Sequence, residues 1–433
     1  MADDTLTLTL EKPVAGGRTL ARHAGRVVLV SGGIPGERVR VAMERSGKGV
    51  AFARVESVEE PSPDRITPEG DPRCGGLAFA HVAYPRQVEL KRAIVEDAMA
   101  RIGRLRDLPA IETVGSPVRA WRLRARLHVQ GGRAGFFREG SHALCNPRPS
   151  GQMVEGLVEL AEDTVRRLAP QAQRAVDAVV VTSTVAGDQQ AVHLELTRPL
   201  PRHGDILAPP GETSAGGAPQ CTGVSAALTS SRQTATLWGH PWVSESLSAL
   251  GLPGGDAATL VRHAAAFFQG NRALLPGLVR HVLDAVRDDA PIVDLYAGVG
   301  LFGIAAAVRG ASSVTLVEGD PVSAEDLVTN AAAFGDRVRA VRGDVESFVG
   351  DESAALSNSS VVVDPPRTGL SPVVTKTLAA SPPRRLVYVS CDPATLARDL
   401  QALTGAGMRI TSMTMFDMFP VTAHVETVVV LER

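Results

Sequence analysis

A cysteine between a predicted strand and a predicted helix is the residue of this sequence best suited to covalent chemistry. Cys391 follows the apolar residues 386–389 and precedes a helix that we expect to begin at Pro393. A free cysteine is more often a small buried apolar residue than a nucleophile. Because an unperturbed thiol has a pKa of about 8.5, a nucleophilic Cys391 needs a site that lowers this pKa or removes the proton on binding. The N-terminus of the following helix would help to stabilise the thiolate.

Two glycines and an acid form a second group that could bind a ligand. Gly298 and Gly300 follow the apolar residues 291–295, and glycines let a backbone turn sharply and approach a ligand closely because they lack a Cβ. Glu318 ends the next predicted strand about 20 residues later, where an acid can hold two ribose hydroxyls. NAD fits this pattern as well as other nucleotide-like cofactors do. A solvated loop carboxylate is the alternative interpretation of Glu318.

A carboxylate next to two prolines is the third candidate. Asp364 follows the apolar residues 360–363 and precedes Pro365 and Pro366. Prolines restrict the backbone, so the Asp364 carboxylate would lose little conformational freedom on binding. A rigid turn without chemistry is the alternative. Methyltransferases that depend on S-adenosylmethionine commonly carry an acidic loop of this kind, whereas a dehydrogenase does not require one.

The elements that must position these residues alternate between strands and helices. We predict strands at residues 291–295, 313–317, 360–363 and 386–389, and helices at residues 302–309 and 321–334. This alternation predicts an α/β fold with a Rossmann-like, doubly wound parallel sheet. Ligands bind at the carboxyl ends of the strands in such a sheet, so the three groups should meet at one edge.

The rest of the chain predicts two further domains. Short alternating segments up to about residue 58 are typical of a small all-β, OB-like barrel, and residues 59–72 predict a linker. The middle predicts an α+β domain with a helix at 87–101, strands at 122–130 and 178–184, and a surface loop at 209–219. We therefore expect domains at residues 1–60, 61–255 and 256–433.

Charge limits the way in which the protein could contact a nucleic acid. The chain has 433 residues and a net charge of -2, so such a contact needs a local basic patch. Between residues 119 and 138 there are six arginines and no acid. Arg122, Arg124 and Arg126 would share one face of a strand and could follow phosphates, with aromatic residues nearby to stack on bases. A solvated strand face is the alternative.

Cysteine use and hydropathy indicate the compartment. The four cysteines lie far apart, and no apolar run approaches the roughly 20 residues that a membrane span needs. The sequence therefore predicts a cytoplasmic protein with reduced thiols, no signal peptide and no membrane span.

Four motifs together carry a resemblance to a known family. They are Phe268-Gln269-Gly270-Asn271, Asp364-Pro365-Pro366-Arg367, Ser390-Cys391-Asp392-Pro393 with Arg398-Asp399 downstream, and His424-Val425-Glu426-Thr427. In this order they resemble the RNA (uracil-5-)-methyltransferase family, whose members are class I enzymes dependent on S-adenosylmethionine. The resemblance covers nearly the whole chain. The N-terminal segment resembles the TRAM domain of many members, and Cys74-Gly75-Gly76 with His81, Tyr84 and Gln87 resembles the start of their central region.

The resemblance implies a role for each candidate residue. Cys391 would add to carbon 6 of uracil, so that carbon 5 can take the methyl group of S-adenosylmethionine. Glu426, which alone would be taken for a surface carboxylate on an edge strand, would remove the carbon 5 proton. Asp364 could serve the cofactor, the uracil or both. The residues that the resemblance assigns to the cofactor are Gln269, Tyr296, Gly298, Gly300, Glu318, Asp344 and Asp364.

The implied substrate is a uridine in folded RNA, which must leave its base stack to reach a thiol in a pocket. Transfer RNA and 23S ribosomal RNA both remain open as substrates, and the N-terminal barrel slightly favours ribosomal RNA. We expect the protein to be a monomer.

The sequence departs from the family at its metal centre. Many members hold an iron–sulfur cluster on cysteines spaced C-x5-C-x2-C with a distant fourth. Cys74 matches one of these ligands, but Pro68 and Leu77 stand where two others would be. Even with Cys145, two of the four ligands are missing. We therefore predict no cluster and no metal, with ordinary reduced thiols at Cys74, Cys145 and Cys221.

Two alternatives belong to other functional classes. An NAD-dependent dehydrogenase would explain the glycine loop and Glu318 but would leave Cys391 and the Asp364 loop without a role. A protein that binds S-adenosylmethionine and RNA but has lost activity would explain the barrel and the arginines. The presence of both Cys391 and Glu426 argues against this second alternative.

Overall fold

The computed structural model describes residues 5–47, 49–200, 206–208, 219–231, 233–253, 258–286 and 289–433. The surface loop that we predicted at 209–219 lies outside the described residues apart from Pro219, and so does the predicted domain boundary at residue 255.

The N-terminal part is a six-stranded sheet with an apolar core of its own. Its neighbouring strands follow the order β1-β5-β6-β4-β3-β2. Along β5 the buried Val39 and Val41 alternate with the exposed Arg38 and Arg40, as expected for strands with one buried face. The strands are β1 Thr5–Thr9, β2 Lys12–Val14, β3 Arg18–His23, β4 Arg26–Ser31, β5 Arg38–Ser46 and β6 Val50–Glu60.

The central part combines helices with a seven-stranded sheet in the order β10-β9-β8-β11-β12-β13-β14 and a hairpin of β15 and β16. The predicted helix and both predicted strands are present within three residues of the expected ends. The elements are α1 Tyr84–Arg101, β7 Ile111–Val114, β8 Arg124–Gln130, β9 Arg133–Phe137, β10 Leu144–Cys145, α2 Leu157–Arg167, α3 Pro170–Gln173, β11 Val176–Ser183, β12 Gln189–Leu196, β13 Gln220–Leu228, β14 Ala235–Gly239, β15 Trp242–Ser246 and β16 Thr259–His263.

The C-terminal part is built on an eight-stranded sheet in the order β19-β18-β17-β20-β21-β23-β22-β7. The strands from β19 to β21 are parallel, and β23 runs antiparallel to both of its neighbours. The elements are α4 Leu275–Ala285, β17 Ile292–Leu295, α5 Leu301–Val308, β18 Val314–Glu318, α6 Pro321–Ala332, β19 Val338–Arg342, α7 Val345–Asp351, α8 Ser353–Leu356, β20 Ser360–Val363, α9 Pro372–Ala380, β21 Arg385–Ser390, α10 Pro393–Gly405, β22 Arg409–Phe416 and β23 Glu426–Glu432.

The parallel strands owe their place in this sheet to their continuous apolar character. Every residue of β17 and of β20 is buried, which is typical of strands covered by helices on both faces. All the strands and helices predicted here are present within about two residues, and the predicted α/β fold class is confirmed. The turns after β17, β18, β20 and β21 lie at the same edge of the sheet, where a ligand site is expected.

Two elements of the predicted central domain pack against the C-terminal sheet. Strand β7 pairs in parallel with β22, with Ile111 opposite Met413. Helix α1 packs against α10 and buries Leu90, Ile94 and Val95. The domain boundaries themselves stay a prediction, but this packing joins the central and C-terminal parts across them.

A disulfide joins Cys74 to Cys145, whose Cα atoms are 5.6 Å apart. The prediction that these two thiols are reduced was wrong. The residues are 71 positions apart in the sequence, and they meet because the segment around Cys74 forms a bridge with Arg138 beside β9 and β10. The disulfide engages the two thiols that could have served as iron ligands, whereas Cys221 and Cys391 are free.

Within the described part of the chain, no helix is both long enough and apolar enough to cross a membrane.

Candidate active site

A cleft of about 760 Å³ opens at the carboxyl edge of the parallel strands. It brings together residues from seven separate segments between Ala265 and Glu426. Of the predicted catalytic and cofactor residues, all but Gly300 line it. They are Gln269, Tyr296, Gly298, Glu318, Asp344, Asp364, Cys391 and Glu426.

The loop after β17 shapes one wall of the cleft. Gly298 has a φ of +58°, and a Cβ added there would have no protein atom within 4 Å, so the backbone is open to a ligand. Gly300 has a φ of +96°, and its Cβ would lie 2.8 Å from Ile304 Cγ1. Gly300 is therefore required by the packing under the loop. Tyr296 also has a positive φ, +63°, which is uncommon for a residue with a side chain.

Backbone amides fix the carboxylate of Glu318 at the end of β18. Gly298 N donates to Oε2 over 2.7 Å, and Asp320 N donates to Oε1 over 2.6 Å. A carboxylate has about four acceptor positions, so each oxygen can still accept a hydroxyl. The role of holding a ribose stays a prediction for Glu318, whose carboxylate is fixed at the edge of the cleft.

Asp344 is the N-cap residue of α7. Its side chain accepts hydrogen bonds from Ser347 N over 2.8 Å and from Ser347 Oγ over 3.0 Å. These hydrogen bonds hold the pKa of the Asp344 carboxyl below its ordinary value. The exposed carboxylate is therefore ionised and held in place at this end of the cleft.

Cys391 lies at the end of β21, immediately before α10. The first free amides of the helix, Ala394 N and Thr395 N, both donate to Asp392 Oδ1 over 2.9 Å, so Asp392 takes the position that a thiolate could have used. Burial, together with the negative charges of Glu426 and Asp364, raises the pKa of the Cys391 thiol to about 12. The expected stabilisation of the thiolate by the helix is therefore outweighed, and the thiol is protonated in the protein without RNA.

Glu426 is the first residue of β23 and is only 1% exposed. Burial and the neighbouring Asp364 raise the pKa of its carboxyl well above the ordinary value, and Arg367 opposes this shift. Within the described residues, Glu426 Oε1 has no hydrogen-bond partner. A buried acceptor without a partner costs free energy, so this atom is suited to a polar ligand.

Asp364 and Gln269 form a pair in the same cleft. Gln269 Nε2 donates to Asp364 Oδ2 over 2.9 Å, and burial raises the pKa of the Asp364 carboxyl to about 7. Gln269 Oε1, like Glu426 Oε1, is buried without a partner among the described residues. Two acceptors thus remain unsatisfied close to the thiol.

Sequence reasoning missed a group of residues that also line the cleft. His424 Nε2 lies 3.2 Å from an amino group of Arg367, and the ring of Phe419 meets the edge of the His424 ring, with centroids 5.9 Å apart. Arg367 and His424 stood in the motifs that carried the family resemblance but had no role assigned. Phe419 lies in the loop between β22 and β23, where no motif marked it.

The three predicted RNA-binding arginines differ in their surroundings, and none of them lines the cleft. The Arg122 guanidinium lies over the rings of Trp121 and Phe136, 5.7 and 5.1 Å from their centroids. Arg124 donates to the carbonyl of Ala265. Arg126 forms ion pairs of 2.7 Å with Glu195 and 2.9 Å with Asp177, so two carboxylates compensate its charge.

Comparison with known proteins gives the site its chemical context. The family model for tRNA (uracil-5-)-methyltransferases matches residues 323–433. A 23S rRNA (uracil(1939)-C(5))-methyltransferase, RlmD, of Chromohalobacter salexigens is 34% identical to this chain over 98% of its length and 89% of the relative. The chain belongs to the RNA (uracil-5-)-methyltransferase family.

Further relatives of this methyltransferase also align along almost the whole chain. The RlmD protein of Alkalilimnicola ehrlichii is 31% identical over 96% of this chain and 94% of its own. The crystal structure of Pyrococcus abyssi tRNA (uracil-54, C5)-methyltransferase in complex with S-adenosyl-L-homocysteine has a TM-score of 0.70, covers 98% of this chain and 100% of its own, and shares 24% identity. That likeness shows a common fold. The dehydrogenase alternative is overturned by the family to which the chain belongs.

Proposed function

We propose that this methyltransferase forms 5-methyluridine in 23S ribosomal RNA in the cytoplasm, with Cys391 as the nucleophile and Glu426 as the base. The observation that carries the proposal is that a free thiol and a buried carboxyl from distant segments line one cleft, together with a carboxylate suited to a ribose. The first group begins the reaction, the second completes it, and the third belongs to the cofactor end.

The cofactor end of the cleft fits S-adenosylmethionine. Glu318 retains acceptor capacity for ribose hydroxyls, the backbone at Gly298 is open on the cleft side, and Asp344 and Tyr296 complete the lining. The volume lies in the usual range for small-molecule sites, about 300 to 1,000 Å³. When bound, S-adenosylmethionine supplies a methyl group on a sulfonium centre. Gln269 and Asp364 lie between this end and the thiol, where either ligand could reach them.

Cys391 activates the uracil ring by adding its sulfur to carbon 6. Carbon 5 of free uracil is a poor nucleophile, and the addition turns it into the carbon of an enolate. The thiol proton must leave in this step, because the thiol is neutral in the protein without RNA. Asp364, with a pKa of about 7, is a suitable acceptor near neutral pH.

Glu426 acts after carbon 5 has received the methyl group. Glu426 must be ionised for this step, which the neighbouring Arg367 favours. Its carboxylate then removes the carbon 5 proton, the electron pair re-forms the double bond, and the sulfur of Cys391 leaves as thiolate. Two protons are thus released, and one of them returns to the thiol. Because Asp364 can hold the thiol proton, the carboxylate of Glu426 stays available for the carbon 5 proton.

The RNA approaches the thiol side of the cleft. Arg122 follows β7 and precedes β8, and Leu123 N donates to Gly270 O next to Gln269, so the arginine lies close to the nucleobase end. It stacks on aromatic rings and has no carboxylate partner among the described residues, unlike Arg126. The N-terminal sheet, proposed as a TRAM domain, would extend the contact with RNA, and the target uridine would flip out of its stack.

Ribosomal RNA is the proposed substrate because the relatives named as 23S rRNA enzymes align over almost the whole chain. The tRNA enzyme of Pyrococcus abyssi supports a common fold, which does not by itself indicate a common substrate.

Covalent trapping with 5-fluorouridine tests this proposal. The protein, S-adenosylmethionine and RNA transcripts containing 5-fluorouridine are mixed and run on a denaturing gel. Fluorine cannot leave carbon 5 as a cation, so the reaction stalls with RNA bonded to Cys391. Transcripts of 23S rRNA should give a band of the cross-linked protein, and tRNA transcripts should not.

Two variants complete this experiment. Cys391→Ala should give no band, whereas Cys221→Ala, which changes the other free cysteine, should give the wild-type band. A band with tRNA alone would overturn the ribosomal substrate. The absence of any band, in a protein that still binds the cofactor, would overturn the mechanism in favour of an inactive binding protein.

A further inference from the structure

The loop of residues 417–425, between β22 and β23, forms part of the cleft wall. Phe419 and His424 of this loop line the cleft, and the loop ends at Glu426. Glu426 is paired across the sheet with Phe416, the last residue of β22. The conformation of the loop therefore decides where the proposed base enters the cleft.

The loop is strained at its centre. Val421 has a φ of +63°, and for a β-branched residue this left-handed conformation is a genuine outlier. Such strain persists only where the surrounding structure holds the backbone firmly, and it is concentrated at functional sites. The contacts that hold this loop are therefore informative.

Helix α1 supplies these contacts from a part of the chain more than 300 residues away. Lys91 Nζ donates to Asp417 Oδ1 over 2.6 Å and to Phe419 O over 2.8 Å. Gln87 Oε1 accepts from Val421 N over 2.9 Å, while its Nε2 donates to Val82 O. One turn of α1 thus forms hydrogen bonds with three residues of the loop: Asp417, Phe419 and the strained Val421.

The buried ion pair of Lys91 and Asp417 contributes little to the stability of the fold. Lys91 and Asp417 are both fully buried, and Asp417 Oδ2 has no hydrogen-bond partner among the described residues. Replacing a buried ion pair by well-packed apolar residues is often neutral or stabilising. A pair that is costly for stability and that holds a backbone carbonyl of a cleft residue fits a role in the reaction.

We propose that Gln87 and Lys91 are positioning residues, which hold the 417–425 loop so that Glu426 can reach the carbon 5 proton. The inference rests on the proposed function of Glu426. It assigns a role to α1, the helix that follows the Cys74-Gly75-Gly76 motif. No residue of α1 lines the cleft itself.

Measuring adduct formation and turnover separately distinguishes this positioning role from a general loss of structure. Trapping on 5-fluorouridine RNA needs Cys391 and methyl transfer but not removal of a carbon 5 proton. In Gln87→Met, multiple turnover on uridine RNA should fall by roughly 10- to 100-fold, while the rate of trapping stays within about twofold of wild type. The covalent intermediate on uridine RNA should accumulate on a denaturing gel.

Lys91 needs a paired design, because Lys91→Met alone leaves Asp417 buried without a partner and could prevent folding. The double variant Lys91→Met/Asp417→Leu removes both charges but also the bond to the Phe419 carbonyl. We expect it to fold, to form the trapped adduct and to lose turnover as Gln87→Met does. Arg92→Met is the matched control, since Arg92 lies next to Lys91 on the exposed side of α1 in an ion pair with Glu96, and its turnover should be that of wild type.

The outcomes distinguish the inference from the function on which it rests. If trapping and turnover fall in parallel in Gln87→Met, or if neither changes, the positioning role is wrong while the proposed function stands. If the wild-type protein forms no adduct, the proposed function is overturned and the inference with it.

Discussion

The two ends of the cleft differ in how their acidic groups are hydrogen-bonded and in the pKa values of those groups. At the cofactor end, Glu318 accepts two backbone amides and Asp344 caps a helix, so both carboxylates are held by donors close to them in sequence or in the same edge of the sheet. At the other end, Glu426 is buried, Cys391 and Asp364 are half-buried, and the pKa of each of the three groups is raised. The carboxylates of the first end are therefore fixed by the protein itself, whereas buried acceptors of the second end, Glu426 Oε1 and Gln269 Oε1, have no partner among the described residues.

This difference bears on how charge is controlled around the proposed nucleophile and the proposed base. Three acidic groups close together in a buried space cannot all be ionised cheaply. The raised pKa of Cys391 keeps its thiol protonated in the protein alone, which avoids placing a thiolate beside two carboxyl groups. The consequence is that variants at the two ends should fail in different measurements.

The largest effect is expected from Cys391→Ala. Loss of the nucleophile removes the only route to an activated carbon 5, so methylation should fall by at least roughly 10⁴-fold. Cofactor affinity, measured by calorimetry, should stay within about twofold, because the cofactor end is fixed independently. Cys221→Ala should match wild type in both assays. A large loss of cofactor affinity in Cys391→Ala would show that the two ends are not separate.

Glu426→Gln should have the next largest effect. The amide cannot take the carbon 5 proton, and turnover should fall by roughly 10²- to 10³-fold. Single-turnover assays on uridine RNA should show the covalent intermediate persisting after the methyl group has been transferred. Glu432→Gln, at the far end of the same strand, serves as the control. Turnover at the wild-type rate in Glu426→Gln would assign the base to another residue.

Glu318→Ala tests the opposite end. It removes the acceptors for Gly298 N and Asp320 N as well as those for the ribose, so cofactor affinity should fall by roughly 10- to 100-fold, about 1.4 to 2.8 kcal/mol. Binding of RNA, measured by filter retention, should be unchanged. Glu325→Ala, on the exposed side of α6, is the matched control. An equal loss of RNA affinity would contradict the division of the cleft.

The smallest effect concerns stability and pH. Burial raises the pKa of Asp364 from its ordinary value to about 7, so between about pH 4 and pH 7 the folded protein holds a proton that the unfolded chain has released. The free energy of unfolding contributed by this group therefore falls as pH rises through that interval. Relative to wild type, Asp364→Asn should gain about 1 to 3 kcal/mol between about pH 4.5 and pH 8 in urea denaturation.

Asp344→Asn is the counterpart with the opposite sign. Hydrogen bonds from Ser347 lower the pKa of Asp344, so its contribution to stability is present above the ordinary pKa and is lost as pH falls through the lowered one. The variant should be less stable than wild type at neutral pH and equal to it in strong acid. Parallel pH profiles for Asp364→Asn and Asp344→Asn would remove the contrast between the two ends.

Local patterns in the sequence were sufficient for the C-terminal sheet and for most of the cleft. Glu318 ends a strand, Asp364 and Cys391 directly follow strands, and Gly298 lies in the turn after another, so the strand pattern alone brings them to one edge. The acidity of these groups could not be predicted in the same way. The pKa of Cys391 depends on Glu426 and Asp364, which are distant in sequence, and on the capping of α10 by Asp392.

Long-range pairs explain the other differences. The Cys74–Cys145 disulfide joins segments 71 residues apart, and no periodicity indicates which strands they border. The RNA contact of Arg122, Arg124 and Arg126 stays a prediction, and the carboxylates that engage Arg126 lie on the neighbouring strands, Asp177 in β11 and Glu195 in β12. Helix α1 was predicted from its periodicity, whereas its contacts with the 417–425 loop depend on tertiary packing.

Strand β7 has a consequence for the order in which the protein is made. It is synthesised long before β22, Arg409–Phe416, its partner in the C-terminal sheet. Lys91 likewise waits for Asp417. Until β22 and Asp417 have been made, a nascent chain therefore carries an unpaired strand edge and an unpaired Lys91, and such edges promote association with other chains. Pairing of β7 with β22 satisfies this edge and completes the eight-stranded sheet that supports the cleft.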